Sequence, residues 1–186
     1  MTSLQTLSDS DRRTIARWAV SCAERVLPLF DVDAESPAQE QVRDALVRAR
    51  AYSRGEGTAA EEIGKRMVAV KAASAAKSPA GAAAARSVAQ AAAVAHMGAH
   101  ALGAAAYAVK AVALANPGKP ELVEEEVHWQ LEQLTADERA VLRRLPSLGA
   151  DSSGPLGAGL LSNGILGATI REIQASITPE QHDLPG

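Results

Sequence analysis

Residues 79–116 read PAGAAAARSVAQAAAVAHMGAHALGAAAYAVKAVALAN, and this alanine run decides the fold. Ser78 can cap a helix, and Pro79 suits the first helical position, where its missing N–H costs nothing. An Asn-Pro-Gly sequence ends the run. The pattern predicts one helix of about 57 Å, at about 1.5 Å per residue. Because a small domain rarely houses so long a straight helix, we expect a bend or break near Gly98 or Gly103.

The composition favours an all-α class. The chain has 186 residues, and no segment has the composition of a linker that would divide it. Aromatic residues contribute only 3%, so alanine dominates the hydrophobic content and the core requires helices that approach closely. No segment shows the alternation typical of a strand. We therefore predict one domain over residues 1–186, a bundle of about six or seven helices around the alanine-rich helix.

Charge and terminal sequence exclude several classes of protein. A net charge of −3 and a pI near 5.8 argue against a dedicated nucleic-acid binder. Cys22 is the single cysteine, which excludes an intramolecular disulfide and suits a reducing cytoplasm. The N-terminus lacks the basic segment, apolar segment and small residues that follow one another in a secretion signal. Residues 87–109 are long enough to cross a bilayer, but alanine gains little in lipid, so we expect a buried helix and no membrane association.

Capping signals divide the rest of the chain into helices. The predicted starts are Ser8, the Ser36-Pro37 pair, the Thr58 and Thr135 capping boxes, and Pro120. The third helix has an apolar stripe of Ile63, Met67 and Val70, which we expect to face the core with the lysines toward solvent. We predict that the glycine-rich segment Leu156–Ile177 forms a final, less stable helix. Thr178–Gly186 is predicted to be a frayed tail.

Two histidines stand out within the alanine run. His96 and His100 are four residues apart, which places them on one face of a helix, and Gly103 and Tyr107 continue that face. Polar rings on a buried helix need partners or a cavity, because each unsatisfied group costs about 1–3 kcal/mol. The histidines are therefore either hydrogen-bonded within the core or lining a pocket.

Other polar residues give weaker signals. Glu125-x-x-His128 could add metal ligands to the histidine pair, but no second carboxylate–histidine motif accompanies it, so we expect no native metal and no cofactor. Cys22 lies on the predicted buried stripe of the first helix, so we expect its thiol to be inert. The segment 154–159 lacks the strand and the Gly-Lys-Ser/Thr ending of a phosphate loop.

Three arginines share a face of the second helix. Arg43, Arg50 and Arg54 could together bind a carboxylate or a phosphate. Neighbouring carboxylates such as Glu24 and Glu56 could instead pair with them. Because such carboxylates are plentiful, we favour the structural interpretation.

Two stretches carry a family resemblance. WAVSCAERVLPLF at Trp18–Phe30 and AHMGAHALGAAAY at Ala95–Tyr107 resemble WA..CAERVLPLFE and AH…HALGAAAYA in a small bacterial all-helical family. That family is catalogued as putative immunity proteins with an Imm-5-like domain. Its middle signature, RPR.AIEAARAW..GE, survives in part, with Val42 in place of the proline and Tyr52 in place of the tryptophan. The resemblance covers roughly residues 12–145.

The resemblance implies a cytoplasmic, non-enzymatic binding protein of immunity type, which neutralises a toxin protein or sequesters a small toxic molecule. The residues that we assign to binding are Trp18, Glu24, Arg25, Arg50, Tyr52, His96, His100 and Tyr107.

Two other interpretations stay open. One is a small all-α enzyme of bacterial secondary metabolism, with His96 or His100 as general acid or base and with Trp18 and Tyr107 as aromatic walls. The other is structural association through alanine-rich faces, including a homo-oligomer.

Overall fold

The computed structural model describes residues 3–32 and 34–179, with the backbone alone at residues 64 and 66. Within these residues the chain is all-α, as predicted, and its only β feature is an isolated bridge between Asp151 and Gly157. The helices are α1 (Asp9–Asp31), α2 (Ser36–Ser53), α3 (Ala59–Ala72), α4 (Pro79–Ala93), α5 (His100–Ala115), α6 (Pro120–Glu132), α7 (Ala136–Leu142) and α8 (Gly164–Ile177). Residues 180–186 of the predicted frayed tail lie outside the described part.

The alanine run forms a helical hairpin rather than one long helix. α4 ends at Ala93, the chain reverses over residues 94–99, and α5 returns along α4. The predicted break near Gly98 is confirmed, whereas the single long helix is wrong. The two helices approach closely: the Ser87 hydroxyl donates to the carbonyl of Ala104 at 2.7 Å. In the described part of the chain, no helix is both long and apolar enough to cross a membrane.

The N-terminal segment, residues 3–7, stabilises this reversal. The Gly98 N–H donates to the Thr6 carbonyl at 3.1 Å, and the Ala99 N–H donates to the Gln5 carbonyl at 3.0 Å. A side chain at position 98 would not fit, because its Cβ would lie 2.5 Å from Cδ1 of Leu7. The turn is therefore held by residues more than 90 positions away in the sequence, which the pattern of the alanine run cannot reveal.

The remaining helices pack on the hairpin or on one another. α1 packs against α2 and against both α4 and α5, while α3 packs on α4 and α8 on α5. Side-chain caps at Ser8, Thr58, Ser78 and Thr135 are present as predicted. In α2 the N-cap is Glu35 rather than Ser36, and its side chain makes no capping hydrogen bond. The C-terminal helix is also shorter than predicted, because residues 156–163 form a loop and a single 3₁₀ turn.

Candidate functional site

The aromatic residues expected to line a cavity are buried in the core. Trp18 is fully buried, and its indole N–H donates to the carbonyl of Gln130 at 2.8 Å. Tyr107 is also buried within α5, and this burial raises the pKa of its hydroxyl. Cys22 is fully buried, and desolvation raises the pKa of its thiol, which disfavours the reactive thiolate. These three side chains contribute to packing.

Arg25 belongs to a network that joins three helices. Its Nε donates to Oε2 of Glu126 at 2.7 Å, and its guanidinium lies 4.3 Å from the centre of the Trp129 ring. Glu126 is buried, and this desolvation raises the pKa of its carboxyl. Gln130 donates from Nε2 to Oε1 of Glu126 and to the carbonyl of Ala105, each at 3.1 Å. The network links α1, α5 and α6, so Arg25 already has partners inside the protein.

The polar residues between α1 and α2 are also paired with one another. Nη2 of Arg50 lies 2.5 Å from Oε2 of Glu24. The Tyr52 hydroxyl donates to Oδ1 of Asp9 at 2.8 Å, and burial, followed by this bond, raises the pKa of Tyr52. The other two anion-site candidates have carboxylate partners too: Arg43 of α2 pairs with Asp31, and Arg54, just after α2, pairs with Glu56. These polar side chains therefore already have partners within the protein.

The two histidines do not share a helical face, which corrects the prediction. His96 lies in the turn after α4, whereas His100 is the first residue of α5. The reversal nevertheless keeps them together, with ring centroids 6.5 Å apart. Nδ1 of His100 lies 2.8 Å from Oε1 of Gln90 on α4. Because an amide oxygen only accepts hydrogen bonds, Nδ1 of His100 donates to Gln90, and in the neutral ring the lone pair is then on Nε2.

The histidines lie in a surface groove, which we call the histidine groove. It consists of two adjoining depressions of about 280 and 350 Å³ that share Gln90 and His100. The first is lined by Met67, Val70, Ala89, Gln90, Ala93, His96 and His100. The second is lined by Gln90, His100, Gly154, Pro155, Gly159, Leu160 and Leu161. The α4–α5 hairpin forms the floor, and α3 and residues 154–161 form the two walls.

The α3 wall differs from the prediction. The stripe of Ile63, Met67 and Val70 was expected in the core, yet these side chains are 37%, 50% and 46% exposed. Ala69 and Ala72 are buried instead. Small side chains let α3 lie close to its neighbours, which turns the large apolar side chains outward. The groove therefore has an apolar margin that the periodicity alone could not place.

The second wall is positioned by Gln5, a buried residue that sequence reasoning missed. Its Nε2 donates to Oδ2 of Asp151 at 2.7 Å and to the carbonyl of Ser153 at 2.8 Å. Its Oε1 accepts from the N–H of Leu156 at 2.9 Å. The backbone of the same residue holds the turn between α4 and α5. Gln5 thus contacts both the histidine-bearing turn and the second wall. No sequence motif indicates this role.

The groove offers little for metal chemistry. Across the described ranges, no three or more His, Cys, Asp and Glu side chains converge as metal ligands would. His128, the residue considered as an additional ligand, is largely exposed and lies 3.0 Å from Glu132 on the same helix. What the groove does offer is apolar contact area around two imidazoles and an amide.

The class that these features define is an all-α protein with an open, mainly apolar groove. A model of the Imm-5 like putative immunity protein family matches residues 5–137. Because this match spans well over half of the chain, the chain belongs to that family. No curated protein and no solved structure matches it. The groove floor and the α3 wall lie within the matched region, whereas residues 154–161 lie beyond it.

Proposed function

We propose that the chain is an immunity-type protein that neutralises a toxin protein in the cytoplasm by binding it through the histidine groove. The family supports a toxin as the partner. The observation that carries the proposal is the exposed apolar stripe of α3 beside the groove. Contiguous exposed apolar side chains on a folded protein typically mark an interaction surface.

The chemistry of the groove suits recognition of a protein surface. Met67 and Val70 on one wall and Leu160 on the other are large apolar side chains with 40% or more of their surface exposed. A partner that covers them gains about 25 cal/mol for each Å² of apolar surface removed from water. Gln90 and His100 at the centre supply the polar groups that fix orientation.

The test combines protection and binding. Proteins encoded next to this gene would be expressed one at a time in a heterologous host, and each one that is toxic would be tested together with wild type, Met67→Glu or Val70→Glu, with affinity measured by calorimetry. We expect each variant to lose protection and to bind at least about tenfold more weakly, since a charge would be buried against apolar surface. Val47→Glu is the matched control, because Val47 is 63% exposed on α2 and lies outside the groove. Equal protection by all four proteins would refute the proposal.

One observation favours a second candidate, a small all-α enzyme or a binder of a small toxic molecule. In the neutral ring, the hydrogen bond from Nδ1 of His100 to Gln90 places the lone pair on Nε2, which is the arrangement that a general base uses. For this candidate His100→Ala should abolish protection, whereas Met67→Glu at the margin should retain most of it. If the chain binds a toxin protein instead, Met67→Glu should reduce protection more than His100→Ala does. Melting curves of both variants would separate loss of function from loss of fold.

A further inference from the structure

Leu160 is an exposed leucine on the second wall of the histidine groove. Its side chain is 68% exposed, whereas that of the next residue, Leu161, is 6% exposed. Single exposed apolar side chains are common on proteins and need no functional explanation. Leu160 differs from other exposed apolar residues such as Val32 and Val47, because it lines the groove whose other wall carries the exposed stripe of α3.

The backbone on the C-terminal side of Leu160 is held by contacts within the protein. The carbonyl of Gly159 accepts from the backbone N–H of Ser162 at 3.1 Å and from its hydroxyl at 2.7 Å. Leu161 packs against the groove floor, where a Cβ added at Gly103 would lie 3.1 Å from Cδ1 of Leu161. These contacts fix the turn from which the Leu160 side chain projects.

The N-terminal side of the second wall lies directly against Gln5. Gly154 lines the groove with a φ of 80°, and a Cβ added there would lie 2.7 Å from Oε1 of Gln5. The Gln5 amide donates to Asp151 and to the carbonyl of Ser153, and it accepts from the N–H of Leu156. Because Gln5 is 1% exposed, it supports the wall from behind and cannot itself contact a partner.

This support has a consequence for binding. A partner that binds a flexible wall must also order it, and the free energy of ordering is subtracted from the affinity. Gln5 orders the wall before any partner arrives, and its backbone carbonyl also accepts from the N–H of Ala99 in the turn that follows α4. The second wall is therefore held at a fixed position beside the groove floor.

We infer that Leu160 is an anchor of the toxin site and that Gln5 is the positioning residue that presents it. The toxin buries Leu160 on the second wall together with Met67 on α3, and Gln5 strengthens this binding without contacting the toxin. The inference rests on the proposed function. It assigns part of the binding to a wall that lies beyond residues 5–137, the region that the family model matches.

The test is a double-mutant cycle on affinity for the toxin identified in the protection assay, measured by calorimetry well below the melting temperatures of the variants. We expect Gln5→Ala and Leu160→Ala each to weaken binding by about tenfold. The double variant should bind at most about threefold more weakly than either single variant. The reason is that a toxin that no longer contacts Leu160 gains little from a positioned wall.

Two comparisons separate positioning from a general loss of stability. Gln5→Ala combined with Met67→Ala should multiply the two single effects, to about hundredfold if each is about tenfold, because Met67 lies on the other wall. Leu114→Ala is the matched control for Leu160→Ala and should bind as wild type does, since Leu114 is 43% exposed on α5 and does not line the groove.

A milder variant covers the case in which Gln5→Ala does not fold. Asp151→Ala removes one of the three side-chain bonds of Gln5 and leaves the other two. We expect it to weaken binding by about threefold in the wild-type background and not to weaken it further in the Leu160→Ala background. Circular dichroism and melting curves show which variants are folded.

Several results would overturn the inference. Wild-type affinity of folded Gln5→Ala, or effects of Gln5→Ala and Leu160→Ala that multiply, would remove the positioning role. The same non-additivity with Met67→Ala as with Leu160→Ala would also remove it. If Met67→Glu abolishes toxin binding while Leu160→Ala binds as wild type does, the inference fails and the proposed function stands. If the toxin binds Met67→Glu as well as wild type, the proposed function fails and the inference fails with it.

Discussion

Gln5→Ala should loosen both sides of the histidine groove at once. The substitution removes three side-chain hydrogen bonds, to Asp151, Ser153 and Leu156. At about 1 kcal/mol net for each bond, the loss of stability is about 3 kcal/mol. For a chain of this size that corresponds to a decrease in Tm of roughly 6–12 °C. Gln5 is 1% exposed, so water cannot readily replace these bonds without opening the loop.

The measurement is urea denaturation together with amide hydrogen exchange. We expect the N–H groups of Ala99 and Leu156 to lose protection together, because Gln5 accepts from both, and we expect the Gly98 N–H, which donates to the neighbouring Thr6 carbonyl, to follow them. Thr6→Ala is the control, since Thr6 contributes a backbone carbonyl to the turn. A decrease in stability of less than about 1 kcal/mol, with unchanged exchange at these amides, would refute the reasoning.

Three further predictions concern the groove floor, the second wall and the α6 network. Gly103→Ala should lower the free energy of unfolding by about 1 kcal/mol, and Gly103→Leu should lower it by about 1–3 kcal/mol. A Cβ at position 103 would lie 2.3 Å from Oε1 of Gln90 and would displace this oxygen from Nδ1 of His100. Gly167→Ala should lower Tm more than Gly159→Ala, since a Cβ at 167 meets a backbone oxygen at 2.3 Å and one at 159 meets open space. Burial raises the folded-state pKa of Glu126; the stability advantage of wild type over Glu126→Gln should therefore be largest below the unfolded pKa and decline as pH rises through the folded value.

Melting curves check the two glycine predictions, and urea titrations at a series of pH values check the third. Equal Tm for wild type and Gly103→Ala would mean that the Gln90 amide moves aside without loss. Equal Tm for the variants at Gly167 and Gly159 would mean that the backbone of Ser162, next to the second wall, is not fixed. A stability difference for Glu126→Gln that grows with rising pH would contradict the direction of the pKa shift.

Part of the candidate site could be predicted from the sequence. The histidine pair was singled out because polar rings within an apolar run need partners, and the structure places His96 and His100 in one groove. The other predicted binding residues are dispersed: Trp18 is in the core, and Arg25 and Arg50 are in ion pairs. Trp18 was proposed as an aromatic wall and Arg50 as part of an anion site, and residue type and spacing do not separate a side chain that stabilises the fold from one that contacts a partner.

The sequence by itself determined the all-α class and where most helices begin. Caps at Ser8, Thr58 and Thr135 form between residues three positions apart, so a short window of sequence contains both partners. The break near Gly98 could also be predicted from the sequence, because glycine interrupts a run of strong helix formers.

Only the tertiary structure decided how those helices are arranged. The reversal between α4 and α5 depends on bonds from Gly98 and Ala99 to the N-terminal segment, and the second wall depends on Gln5 bonding across 146–151 positions. The outward face of α3 was decided by which side chains could pack closely: alanine turned inward, and Met67 and Val70 outward. Periodicity identifies an apolar stripe on a helix, but the neighbouring helices determine whether that stripe is buried or left available for a partner.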